Sequence, residues 1–227
     1  MWSQRRQEIY VKIERIVSRS EMPSPLILRY EQTDSSISEA EERFLRVVAP
    51  LWRRLNKFMG ERCIQSNLVE LTQYIAETLD KLPQTQVNVI HTDLQKTFDK
   101  VNHALLIDKI RAFGFGDSLV ALCKSYMRNR KQYVVYKGFR SRIYYCPSGV
   151  IQGSNLGPFF FLVFINDVSS AFRHSSCLLY ADDLKIYRVI KSDTDTAMLQ
   201  SDLCVLTNWC NVNLLPLNAG KCKANDL

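Results

Sequence analysis

With 227 residues, 46% of them hydrophobic and 23% charged, the chain can bury a sizeable core and does not have the composition of a disordered tail. Its net charge of +7 favours a polyanionic partner but falls well short of histone-like basicity. Seven cysteines without zinc-ligand spacing, a polar first stretch and no apolar run longer than 159–165 argue against a zinc finger, a secretory leader and a membrane span. They predict reduced thiols in an intracellular protein, nuclear or cytoplasmic.

Residues 1–57 are charged and irregular. Ile9, Ile13, Ile16 and Val17 stand at helical spacing, a loop surrounds Pro23 and Pro25, and 43–55 spaces as a second helix. From 64 to 79, Ile64, Leu68, Leu71, Ile75 and Leu79 recur every three or four residues, an amphipathic helix that Pro83 stops. Residues 87–90 read as a buried strand leading to Asp93. Asn102 is placed to cap a helix carrying Leu105, Leu106, Ile110 and Phe113, which Gly114 ends. Asp117 is placed to cap the next helix, with Leu119, Leu122, Cys123 and Tyr126 inward. Residues 131–136 and 139–145 flank Lys137-Gly138, a hairpin signal. Pro158 suits the first turn of a very apolar helix to Val168. Residues 177–180 and 184–189 are short apolar strands with Asp182-Asp183 between them. A long helix follows with Leu199, Leu203, Leu206 and Trp209 on one face. This mixture of helices and hairpins predicts an α+β class.

The charge is concentrated. Between Arg111 and Arg142 lie eight basic residues and one acid, whereas the rest of the chain carries 22 of each sign. Tyr126, Tyr133, Tyr136 and Phe139 are interleaved with them. Cations neutralise phosphates and aromatic faces stack on bases, so the segment either contacts nucleic acid or is a solvated hairpin whose tyrosines pack inward.

Three stretches carry candidate chemistry. In CLLYADDLKIYRV, two adjacent carboxylates sit between apolar strands, an arrangement that is costly unless a cation compensates it. Regular strands send neighbouring side chains to opposite faces, but the twist of a hairpin tip can turn both toward one metal. The alternative is a pair of exposed turn aspartates. In VIHTDLQKTFDKVNH, Asp93 ends a strand and can project into a cleft or cap a helix, and Phe98 follows five residues later. In SGVIQGSNLGPFFF, Gly149, Gly153 and Gly157 surround Gln152 ahead of a helix; glycines let backbone approach a ligand, and helix starts favour phosphate.

In chain order, Asp93-x4-Phe98, SGV-x-QGS-x-LGP and YADD resemble motifs A, B and C of reverse transcriptases. LVELTQYIAETLD, KTFDKVNHALL, YMRNRKQYV and SDLCVLTNWCNVNLLPLN-x2-KC extend the resemblance to non-LTR retrotransposon polymerases of the jockey-like, LINE type, from Phe58 to Cys222. The resemblance implies a right-hand polymerase palm with partial fingers, an antiparallel palm sheet packed on helices, and no thumb. It divides the chain into an unmatched segment, 1–57, and a fingers/palm fragment, 58–227.

The implied activity is RNA-directed DNA synthesis: a DNA primer extended on an RNA template from deoxynucleoside triphosphates, with two Mg²⁺ ions (Mn²⁺ as a substitute) held by Asp93, Asp182 and Asp183. Leu94, Phe98, Gln152 and Gly153 match positions near the incoming nucleotide, Phe98 being the gate that excludes a ribose 2′-hydroxyl. ADD and Phe, where RNA-copying RNA polymerases show GDD and a polar gate, favour DNA synthesis. Lys221 matches the motif D lysine, a proton donor to pyrophosphate, or is a solvated surface lysine. Lys124, Arg128, Arg130, Lys131, Arg140 and Arg142 would lie along the template–primer path. The chain departs from the family at Ile151, where motif B usually has proline, at Thr97, where alanine is usual, and at Gln95. Residues 1–57 do not resemble the family's early fingers, and the resemblance includes neither thumb nor endonuclease. The alternatives to an active polymerase are a silent nucleic-acid-binding remnant and a decayed element without function.

Overall fold

A computed structural model describes residues 27–30, 64–81, 85–151, 154 and 156–227. In chain order its elements are β1 (Ile27–Tyr30), α1 (Ile64–Lys81), β2 (Gln86–Thr92), α2 (Thr97–Lys100), α3 (His103–Ala112), α4 (Asp117–Met127), β3 (Lys131–Tyr136), β4 (Phe139–Arg140) and β5 (Tyr144–Tyr145). They continue with α5 (Gly157–Ile165), a 3₁₀ turn (Asn166–Ala171), β6 (Ser176–Tyr180), β7 (Asp183–Ile190), α6 (Asp193–Val212) and β8 (Lys223–Asp226). The helices expected at 9–17 and 43–55 lie outside the described residues.

The chain divides into two compact units, Met1–Gln32 with Lys131–Tyr145, and Thr33–Arg130 with Cys146–Leu227. The smaller unit is an antiparallel sheet in which β3 pairs with β1, β4 and β5. Its turn is the Lys137-Gly138 pair, with φ of 47° and 84°, the two positive values that a primed hairpin turn requires. The strand β1, just beyond the proline-rich stretch, has no sequence signal of its own; its partner β3 supplies the pairing.

The larger unit is built on a four-stranded antiparallel sheet in the order β6-β7-β2-β8. Alternate residues serve its two faces. Ile90, Leu94, Leu184 and Ile186 pack into the main core with Phe160, Phe161, Phe164 and Ile165 of α5, with α3 and α4, and with Leu199, Leu206 and Trp209 of α6. On the other face Val87, Val89, Leu178 and Tyr187 meet Leu71, Tyr74 and Ile75 of α1. Helix α5 is apolar all round because seven of its nine residues are buried.

Local signals account for most boundaries. Asn102 accepts the N–H groups of Ala104 and Leu105 at 2.9 and 3.1 Å and so caps α3. The cap of α4 is Gly116, not Asp117; Asp117 sits one residue inside, where its charge favours the helix dipole. Two apolar stripes are rotated from the expected ones. In α4 the buried residues are Val120, Cys123 and Met127 while Leu122 is exposed, and in α1 Asn67 and Leu71 are buried while Leu68 is exposed. The helix from Pro158 ends at Ile165 and continues to Ala171 as a 3₁₀ turn. Strand β8 has no sequence forerunner: Lys-Ala-Asn-Asp is exposed at every position, and its pairing with β2 alone makes it a strand. No helix among the described residues is long and apolar enough to cross a membrane.

Candidate active site

Strand register brings the first two carboxylates together. Thr92 pairs with Leu184, so Asp93 emerges from β2 opposite Asp183, the first residue of β7. The Thr92 hydroxyl donates to the Leu184 carbonyl at 2.9 Å and fixes that register. Asp182 occupies the β6–β7 turn beside Ala181, whose φ of 52° makes the turn tight. The Thr97 hydroxyl donates to Asp182 Oδ2 at 3.0 Å. Thr97 is 5% exposed, so this donor is held by burial.

The carboxylates oppose one another electrostatically. Asp183 has a raised pKa: burial of its carboxyl comes first, then the charge of Asp182, with Asp93 adding and Lys185 and His91 opposing. His91, two residues before Asp93 on the same face, has a lowered pKa, chiefly from burial and then from Lys185 and Lys223, with Asp183 opposing. Among the described residues no group of three or more His, Cys, Asp and Glu side chains is gathered closely enough to hold a metal ion. Asp93 and Asp183 lie at neighbouring strand ends, while Asp182 is held by Thr97.

The chain after α6 returns to this point. Gln95 N–H donates to Pro216 O at 2.9 Å and Asn218 N–H to Asp93 O at 2.7 Å, bracketing a bridge between Leu94 and Leu217. Leu94 is 4% exposed, so its side chain is core and only its main chain can face a ligand. Lys221 Nζ lies 3.8 Å from Asp93 Oδ2, with 71% of the lysine side chain exposed. The sequence left Lys221 between a functional lysine and a surface one; the return of the chain puts it beside Asp93.

Phe98 is tied to the glycine segment. Its carbonyl accepts Val150 N–H at 2.7 Å, and Gly149 N–H donates to Val101 O at 2.8 Å. Ser148 Oγ donates to Asp99 O at 2.9 Å, and His103 Nε2 lies 2.7 Å from Gly149 O. The Phe98 ring stacks on Phe161 with centroids 4.8 Å apart and planes 23° apart. Gln152 and Gly153 lie outside the described residues. Thr97 and His103 were missed as supporting residues. The one signal was Thr97 itself, a hydroxyl where the resembled family has alanine.

The six basic residues divide between the units. Lys124 and Arg128 are exposed on and just after α4, and Arg130 stacks its guanidinium 4.3 Å over Tyr126, in the larger unit. Lys131, Arg140 and Arg142 belong to the smaller sheet, each over a tyrosine ring: Tyr145 at 5.5 Å, Tyr133 at 4.4 Å and Tyr144 at 5.2 Å. Of the four aromatics interleaved with these cations, Tyr126 packs against Phe160 of the main core and Tyr133 is buried, while Tyr136 and Phe139 are exposed, as are Tyr144 and Tyr145, so inward packing holds for two of the four.

A family model described as reverse transcriptase (RNA-dependent DNA polymerase) matches residues 38–225. Among curated relatives, a probable RNA-directed DNA polymerase from transposon BS of Drosophila melanogaster is 29% identical over 209 residues, 82% of this chain and 22% of the relative. The RNA-directed DNA polymerase from mobile element jockey of Drosophila funebris is 32% identical over 140 residues, 57% of this chain and 15% of the relative. A Pol polyprotein from the type-1 retrotransposable element R2 of Popillia japonica is 25% identical over 169 residues, 69% of this chain and 27% of the relative. The chain thus spans about a quarter or less of the relatives it matches. Among solved structures, apo telomerase from Candida tropicalis, truncated from its C-terminal domain, has a TM-score of 0.61 at 12% identity, covering 87% of this chain and 45% of that one. Candida tropicalis telomerase in complex with a fragment of telomeric RNA has a TM-score of 0.63 at 14% identity, covering 86% and 36%. At such identities the likeness establishes the fold, a partial polymerase fold of mixed helices and antiparallel sheet.

Proposed function

The chain belongs to the reverse transcriptase (RNA-dependent DNA polymerase) family, and from that premise we propose that it carries the nucleotidyl-transfer centre of an RNA-directed DNA polymerase. The observation that carries this reading is the placement of Asp93 just past the end of β2 and of Asp183 at the start of the neighbouring β7, with Asp182 at the adjoining turn. The donor chemistry suits Mg²⁺ although the three side chains are not gathered around one point in this structure: it is all oxygen, and the charges of Asp182 and Asp93 disfavour that of Asp183, a penalty that a cation removes. Asp93, Asp182 and Asp183 would hold two Mg²⁺ ions, or Mn²⁺ in their place. When bound, the ions supply Lewis-acid activation of a primer 3′-hydroxyl and neutralise charge on the triphosphate and departing pyrophosphate.

The remaining steps belong to side chains. Thr97 orients Asp182 through its hydroxyl. Phe98, held by Phe161 and by the Val150 N–H, fills the space a ribose 2′-hydroxyl would need, which selects deoxynucleotides. The Leu94 main chain, Gln152 and Gly153 complete the nucleotide site. Lys221, beside Asp93, gives a proton to the leaving pyrophosphate. Lys124, Arg128, Arg130, Lys131, Arg140 and Arg142 neutralise phosphates of the RNA template and DNA primer. A second reading, a silent nucleic-acid-binding remnant, is favoured by the exposed aromatic and basic side chains of the smaller sheet.

Primer extension distinguishes the two. With an RNA template, a DNA primer, deoxynucleotides and Mg²⁺, the proposal expects products that the Asp182→Ala, Asp183→Ala double variant does not make. Binding without extension, by folded protein at high concentration, supports the second reading and overturns the first.

A further inference from the structure

One face of the larger sheet changes character along its length. Val87, Val89, Leu178 and Tyr187 are covered by α1. In the cross-strand row that Leu178 begins on β6, the register sets Lys185 of β7, His91 of β2 and Lys223 of β8 directly side by side, since Leu178 pairs with Lys185 and His91 pairs with both lysines. None of the three is buried, and Lys223 is exposed. Two positions further along the same strands come Asp183 and Asp93. The open end of the face is therefore bipolar, with carboxylates at the tip and a row of two cations flanking an imidazole behind it.

We propose that Lys185 and Lys223, with His91 between them, form a phosphodiester-binding row that holds the backbone of a primer strand behind the carboxylates. The dimensions suit that occupant. Two residues of antiparallel strand place the row about 6.8 Å behind the carboxylates, roughly two rises of a nucleic-acid strand at ~3.4 Å per phosphate. Two strand spacings separate the lysines by about 9.5 Å, enough for them to take different phosphates. The acids in front repel phosphate and the cations behind attract it, so a strand has only one favourable placement, with its hydroxyl end at the aspartates. The row is separate from the basic residues between Arg111 and Arg142 and has no counterpart in the linear charge pattern. Lys185 and Lys223 are 38 positions apart in the sequence, and only the β7-β2-β8 register unites them.

The inference rests on the polymerase reading for the identity of the strand, and its test needs neither metal nor triphosphate. Affinity for a primed RNA–DNA duplex is measured against salt concentration in the presence of a chelator. For Lys185→Ala, Lys223→Ala the slope of log affinity against log salt should shrink by about 1.8, from ~0.9 per phosphate. Binding at ~0.1 M salt should weaken roughly 60-fold, by extrapolation of that slope to 1 M. A second pair, Arg173→Ala, Lys191→Ala, removes equal charge at the opposite end of β7 and should leave the slope unchanged. Thermal melting verifies that both pairs are folded. An unchanged slope in the first pair, or equal losses in both, overturns the row as a phosphate site, whether or not the protein extends primers. A loss confined to the first pair supports it even where no extension is seen.

Discussion

At Gly149 the Phe98 segment and the glycine-rich segment touch closely. Its φ is +89°, and a Cβ added there would stand 2.8 Å from the Asp99 carbonyl oxygen and 2.9 Å from that of Phe98. Both neighbours are main chain, so no side chain can swing aside. Gly149→Ala should therefore cost about 1–2 kcal/mol in backbone strain and roughly 1–3 kcal/mol in displaced packing, about 2–5 kcal/mol together. For a chain of this size that is a fall in Tm of about 4–20 °C at ~2–4 °C per kcal/mol. The displacement has a local target as well. The Phe98 carbonyl accepts Val150 N–H at 2.7 Å, so pushing the segments apart moves the gate ring and should lower extension beyond the loss from unfolding. Differential scanning calorimetry, with extension measured well below the variant's Tm, reads both effects. A Tm within 2 °C of the parent, with unchanged extension, would refute the close apposition of the two segments.

Asp202 is 1% exposed on α6 and accepts the N–H groups of Arg173 and His174 at 3.1 and 3.0 Å. Asp202→Ala orphans both donors and should cost about 3 kcal/mol, at ~1–3 kcal/mol per unsatisfied group, seen as a lower Tm. Burial raises the Asp202 pKa, but the N–H groups of Arg173 and His174 and the contacts of Ser175 outweigh it, so the carboxyl ends below its ordinary value. Its stabilisation is thus complete above the unfolded-state value of about 4 and lost as pH falls through the folded-state value; the Tm gap between parent and variant should narrow in that acid range and nowhere above it. Phe98→Val should reduce discrimination against ribonucleotides by roughly 10–200-fold in kcat/KM, the range for ~1–3 kcal/mol of pocket fit. An active variant with unchanged discrimination would remove Phe98 from the gate role.

Elements whose signals are local were legible in the sequence. The apolar strands around Asp182-Asp183, the Asn102 cap and the Lys137-Gly138 turn need only near neighbours to specify them, and each stands where composition and spacing place it. What needed distant partners was not legible. The exposed residues of β8 form a strand only because β2 offers an edge, and Lys221 approaches Asp93 only because Leu217 bridges Leu94. The stripes on α1 and α4 were misplaced by part of a turn because periodicity gives a face's width but not which neighbour covers its margin. At the candidate site, the carboxylate residues were legible as residue types at strand ends. The Thr97 hydrogen bond and the Lys185–His91–Lys223 row were not, since each depends on register between segments far apart in the chain.

The central claim, that Asp93, Asp182 and Asp183 form a metal-dependent nucleotidyl-transfer centre, is tested most directly by single-nucleotide incorporation at a DNA primer on RNA. The account predicts incorporation that a chelator abolishes and Mg²⁺ restores. It also predicts a drop of roughly 10³-fold in each of Asp93→Asn, Asp182→Asn and Asp183→Asn, the equivalent of ~4 kcal/mol of lost metal-derived stabilisation. Incorporation at the parent rate by any of the three variants, or none by the folded parent chain, would contradict it.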